Sequence, residues 1–116
     1  MSNTSRVTPV DIFQLEQSID SGMTLICDFW APWCAPCLAF ADVYEKVADE
    51  EQDILFLKMN IQHESQEVLD SLGIMSVPHL MIFKQGIAVY SESGTLPYAV
   101  LKDLLAQTML LDLPKD

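Results

Sequence analysis

Basic residues are scarce in this sequence. Six Lys and Arg stand against seventeen Asp and Glu, giving a formal net charge of −11 over 116 residues. Phosphate backbones are bound by basic surfaces, so the balance argues against nucleic acid as a partner. Long apolar runs are missing as well. None approaches the ~20 residues that cross a bilayer, and no membrane association is expected. Cysteines number only three, an odd count, and two of them share one C-x-x-C. That is not the framework of a small secreted scaffold held by disulfides. Staples are also unnecessary: half of the residues are apolar, and a chain of this size can bury roughly two-thirds of the surface it exposes when unfolded. One domain over residues 1–116 is expected. The opening run Met1-Ser2-Asn3-Thr4-Ser5-Arg6 lacks the apolar stretch of a secretory leader, which points to a cytoplasmic, reducing compartment. Acidic residues gather at Asp49-Glu50-Glu51 with Asp53, and at Glu64, Glu67 and Asp70. A solvated surface accounts for such clusters, with steering toward a basic partner as the alternative.

What is present alternates between strand and helix patterns. Thr8-Pro9 reads as a helix start, with Val10, Phe13, Leu15 and Ile19 on one side and an end near Gly22. Residues 23–29 form an apolar, strand-like run. From Cys37 onward Phe40, Ala41, Tyr44, Val47 and Ala48 recur at helical spacing, while Asp42, Glu45, Lys46 and Asp49 fall outside the stripe. Residues 54–57 read as a second buried strand, and a short helix follows over 64–72, stopping at Gly73. Residues 80–83 and 87–90 are two further apolar runs separated by Lys84-Gln85-Gly86, a hairpin signal. A last helix begins near Pro97 with Val100, Leu101, Leu104, Leu105 and Thr108 on one face. Strands joined through helices pair in parallel, whereas a hairpin is antiparallel. The order α-β-α-β-α-β-β-α therefore predicts an α/β sandwich with a mixed sheet and helices on both faces.

The run Asp28-Phe29-Trp30-Ala31-Pro32-Trp33-Cys34-Ala35-Pro36-Cys37 carries the chemistry. A strand enters it and a helix leaves it at Cys34, so the first sulfur sits where unpaired backbone N–H groups and the helix dipole favour an anion. The thiolate is the reactive form of cysteine, and such a position lowers its pKa. Pro36 fits the first helical turn without removing a needed hydrogen bond. Metal binding is the bland alternative for a C-x-x-C. Zinc takes four ligands, and only Cys27, His63 and His79 could complete the set. Cys27 directly precedes Asp28 on a strand and points to the opposite face, which suits a small buried hydrophobe. Asp28 within an apolar strand is costly unless it has a task.

These residues resemble the thioredoxin family, and the likeness runs through most of the chain. It rests on Asp28 to Cys37, on Lys58-Met59-Asn60-Ile61, on Gly73-Ile74 leading to Val77-Pro78, and on Gly86 and Gly94. The resemblance implies the thioredoxin fold, a three-layer sandwich, and a thiol:disulfide oxidoreductase that reduces protein disulfides. It implies a redox disulfide between Cys34 and Cys37, with Cys34 attacking and Cys37 resolving. Asp28 matches the family's buried acid, Lys58 the lysine that tunes it, and Pro78 its cis-proline. Trp33, Ala35, Pro36, Met75, Val77, Pro78 and Gly94 match an exposed apolar rim for substrate, with Val77 offering backbone groups to an extended peptide. No bound cofactor is implied. Electrons come from NADPH through a thioredoxin reductase, the substrates are disulfide-containing proteins, and a monomer is expected. Ala35, Leu38, Asp42, Ser76 and His79 depart from the usual residues, which bears on partner choice and potential rather than reaction type. A different class, a thioredoxin-fold binding or assembly subunit with incidental redox activity, is the alternative. An oxidase or isomerase is a third reading.

Overall fold

The computed structural model describes residues 4–114. Five strands form one mixed sheet in the order β1-β3-β2-β4-β5: β1 (Val7–Pro9), β2 (Leu25–Trp30), β3 (Leu55–Asn60), β4 (His79–Lys84) and β5 (Ile87–Ser93). Four helices cover it: α1 (Ile12–Asp20), α2 (Ala35–Glu50), α3 (Gln66–Leu72) and α4 (Tyr98–Leu110). Strands β1 and β2 both run parallel to β3, while β4 is antiparallel to β2 and to β5. The sandwich expected from the element order is the one observed.

The start of the chain departs from expectation. Thr8-Pro9 belongs to a short edge strand rather than a helix, and Pro9 is tolerated there because an edge position can do without a ladder donor. Helix α1 begins at Ile12, where Asp11 accepts the Gln14 backbone N–H and the Gln14 side chain accepts from the Asp11 N–H, a capping box. Phe13 is correspondingly off the core face and exposed. Strand β5 runs on to Ser93, past its apolar part, because an outer strand can carry Ser91, Glu92 and Ser93 in solvent. The hairpin turn is two residues, Gln85 (φ 55°) and Gly86 (φ 78°). Two successive positive φ angles match the right-handed twist of the strands they join.

The two sheet faces have separate cores. Ile26, Phe56, Leu80 and Ile82 pack under Phe40, Tyr44 and Val47 of α2 and Leu101 and Leu105 of α4. Leu25, Cys27, Phe29, Leu57 and Met81 face Leu15 of α1 and Leu69 of α3. Val100, expected in the buried stripe of α4, is about half exposed. Tyr44 is fully buried, and its hydroxyl donates toward the carbonyls of Ile26 (3.0 Å) and Leu57 (2.7 Å), tying α2 to both central strands. Lys84 closes the other end. Its ammonium donates to the carbonyls of Thr108 (2.9 Å), Met109 (3.0 Å) and Leu111 (2.7 Å), where the C-terminus of α4 leaves acceptors unpaired. Lys84→Met is expected to lower stability by about 1–3 kcal/mol in urea unfolding, with little change in any activity of the distant cysteine pair.

Candidate active site

The cysteines stand at the junction of β2 and α2. After Trp30 the chain turns so that the Cys34 N–H donates to the Ala31 carbonyl (3.1 Å). Cys34 caps α2 with extended backbone, and its sulfur accepts the Cys37 backbone N–H at 3.2 Å. Ala35 and Pro36 fill the first turn, so no N–H is missed. Cys34 and Cys37 are joined as a disulfide, their Cα atoms 5.2 Å apart. Both are buried, at 6% and 2% exposure, so only a small part of Cys34 is open at the surface. Its Sγ lies 3.7 Å from the carbonyl oxygen of Val77. The Val77–Pro78 peptide bond is cis. Gly94, at φ 102°, donates its N–H to the Pro78 carbonyl at 2.8 Å, which anchors this loop beside the sulfurs.

Beneath the pair lies Asp28. Strand register sets it beside Lys58 of β3 and Leu80 of β4, on the face covered by α2. The residue is only 4% exposed, and its Oδ1 has no hydrogen-bond partner among the described residues. Burial raises its carboxyl from the usual 3.8 to about 7, with the Lys58 ammonium pulling weakly the other way. A cavity of about 180 Å³ connects Asp28 with Cys37, walled by Trp30, Leu38, Tyr44 and Lys58. At ~30 Å³ per molecule it has room for several waters. An acid that titrates near neutrality, in one cavity with a sulfur, can take up and return a proton.

The remaining candidates fall into three groups. Trp33, Ala35, Pro36, Met75 and Gly94 are exposed around the opening, Trp33 at 66% and Met75 at 96%. Val77 is half-buried against Cys34, Cys37 and Ala31. Pro78 is buried, so its part in an exposed rim is corrected: it packs and holds Gly94. Trp30 is a partly buried wall of the cavity, with the Lys58 ammonium 5.6 Å from the centre of its ring. His79 is more deeply buried than its type suggests, sharing a 2.8 Å hydrogen bond with the Ser91 hydroxyl on the face away from Asp28. Tyr44 and Leu38 as cavity walls were not foreseen. An aromatic in an apolar helical stripe looks like any core residue until its neighbours are known.

Comparison with known proteins agrees with this geometry. The sequence model of the family Thioredoxin matches residues 7–107. Thioredoxin 1 of Nostoc sp. strain PCC 7120 is 38% identical over 110 residues, covering 94% of this chain and 96% of that protein. Thioredoxin 1 of Synechococcus elongatus is 36% identical over 106 residues, covering 90% and 96%. Among solved structures, chloroplastic thioredoxin z superposes with a TM-score of 0.82 at 30% identity, covering 95% of this chain and 100% of that one. A mutant thioredoxin from Halobacterium salinarum gives 0.79 at 27% identity, covering 97% and 100%. With a helix-capping disulfide, a buried acid in the same cavity and these relatives, the chain belongs to the thioredoxin family and is a thiol:disulfide oxidoreductase.

Proposed function

We propose that residues 1–116 form a single, monomeric, cytoplasmic thioredoxin domain that reduces protein disulfides, with Cys34 as nucleophile and Cys37 as resolving thiol. The carrying observation is the Cys37 N–H directed at the Cys34 sulfur, 3.2 Å away, at the first turn of α2. That donor and the helix N-terminus stabilise negative charge on the sulfur. The Cys34 thiolate attacks one sulfur of the substrate cystine, and the other substrate sulfur leaves as a thiolate and picks up a proton. A mixed disulfide results. The Cys37 thiol then gives its proton to the Asp28 carboxylate through the shared cavity and attacks the Cys34 sulfur. The second substrate thiol is released, and two electrons have passed from the Cys34/Cys37 dithiol to the substrate.

Lys58 lies on the Asp28 side of the site and favours its charged form, which tunes this proton transfer. Trp33, Ala35, Pro36, Met75 and Gly94 surround the opening and form the contact surface, and the Val77 carbonyl meets the backbone of an extended substrate. The chain needs no bound cofactor; a thioredoxin reductase drawing on NADPH returns the disulfide to the dithiol. Equilibration against a dithiothreitol redox series tests the direction of the reaction. A potential near about −270 mV, the value typical of thioredoxins, supports reduction, whereas one near about −120 mV marks an oxidant.

A further inference from the structure

We propose that the disulfides this protein reduces are those flanked by basic residues. The proposal rests on the reductase reading above and names the substrate class of the same site. Its basis is the way charge is distributed around the opening. One face of α2 leads away from the cysteines through Leu38, Asp42, Glu45 and Asp49, spaced i, i+4, i+7 and i+11. Leu38, Asp42 and Asp49 are exposed, and Glu45 is half-buried with its carboxylate accepting from the Ser5 hydroxyl. Glu45 and Leu38 share the mouth of the cavity above Asp28. On the far side of Trp30, a second groove past Lys58 is edged by Asp11 and Glu64. Acidic side chains therefore lie on both flanks of Trp30.

The cations that could offset them are turned onto the protein itself. Arg6 donates to the carbonyls of Ala48 and Gln52, and Lys46 lies over the Tyr98 ring. Lys84 holds the end of α4, and Lys102 pairs with Glu50 and Glu51. Lys58 lies over the Trp30 ring and lines both grooves, where the neighbouring carboxyl groups of Asp11, Asp28, Glu45 and Glu64 outnumber it. Those five are all of the Lys and Arg among the described residues. Leu38 adds an exposed apolar contact beside Cys37 and brings no charge of its own. Acidic side chains on the Trp30 side of an apolar opening attract cationic segments and repel acidic ones before contact, acting mainly on the rate of encounter.

The test uses three peptides with one cystine sequence, flanked by Lys, Gln or Glu. Single-turnover reduction by the reduced protein is followed by chromatography. Each rate is divided by that peptide's rate with dithiothreitol, which removes the effect of flanking charge on the cystine itself. The expected order is Lys over Gln over Glu, with roughly tenfold or more between the extremes at low ionic strength. At ~1 M salt, where screening acts within about 3 Å, the spread is expected to fall below about twofold. Replacing the helix face (Asp42→Asn with Glu45→Gln and Asp49→Asn) should cut the preference several-fold. Asp42→Asn alone should give a smaller cut in the same direction, and Asp20→Asn on α1 should leave it unchanged. Equal normalised rates, a preference for Glu flanks, or a Lys preference that salt does not reduce would overturn the proposal while leaving the reductase reading intact. Failure to reduce any of the three peptides removes both.

Discussion

Cys34→Ser will bring insulin-disulfide reduction in the presence of dithiothreitol down to the uncatalysed rate. The expected loss is at least about 10³-fold, the scale on which removal of a nucleophile acts. A hydroxyl cannot form the mixed disulfide, so nothing else at the opening replaces the lost step. Cys37→Ser should behave differently: attack still occurs, but the adduct has no internal thiol to resolve it. A one-to-one disulfide between Cys34 and substrate should accumulate and be visible by mass spectrometry. Cys27→Ala should retain the activity, since Cys27 faces the other core. Equal turnover of wild type and Cys34→Ser would mean the disulfide chemistry is incidental and would favour a binding role for the fold.

Asp28→Asn should raise stability and slow catalysis together. A buried carboxyl whose pKa is about 7 rather than 3.8 is a destabilising group wherever the unfolded chain would ionise it. Below about pH 3.8 both states hold the proton and no penalty exists. Between there and about pH 7 the unfolded chain has released its proton while the folded chain keeps it. Stability therefore falls with rising pH and levels off above about 7. At roughly 1.4 kcal/mol per pH unit, the difference between the two values amounts to roughly 4 kcal/mol. Urea unfolding of the oxidised protein from pH 4 to 9 should show this decline. Asp28→Asn should lack it and be more stable at pH 8 by about 2–4 kcal/mol, the lower figure allowing for an amide that still has hydrogen bonds to make. Release of substrate from the mixed disulfide should slow about 10²-fold, the typical contribution of a placed base, and should lose its rise through neutral pH. A wild-type stability profile that is flat between pH 4 and 7 would contradict the buried, near-neutral carboxyl.

Much of this architecture was legible from residue order. All four helices and four of the five strands announced themselves by apolar period and by the turns at Gly73, Gly86 and Gly94, with only the start of α1 displaced. Cys34, Pro36 and Cys37 gave the junction of β2 and α2 directly, because their chemistry and their helix-start geometry coincide. Strand β1 did not show, since three residues with one buried side chain carry no period, and Thr8-Pro9 imitates a helix start. Its parallel pairing with β3 supplies the order that its own sequence lacks. The Asp11 and Gln14 pair is the readable signal for the start of α1, three residues beyond Thr8. Asp28 stood out because a carboxyl in an apolar strand violates a local rule. Its cavity did not, because Trp30 of β2, Leu38 and Tyr44 of α2 and Lys58 of β3 converge from three separate elements and each alone looks like packing or surface. Pro78 and Val77 were visible as a pair, yet their burial depends on Gly94 reaching back from beyond β5.

Cys27 turns the oxidised protein into its own clock. With the other two sulfurs bonded to each other, one thiol is left to react, and it is sealed at 0% exposure between Phe29, Met59 and the helices of the far face. Burial also keeps that thiol protonated, with the Asp28 charge acting in the same sense. A thiol-specific dye can gain entry only when the sheet parts from α1 and α3, so the pace of its uptake counts large openings of the molecule one by one. The same sealed position spares the spare sulfur from scrambling the working pair during every turn of the redox cycle.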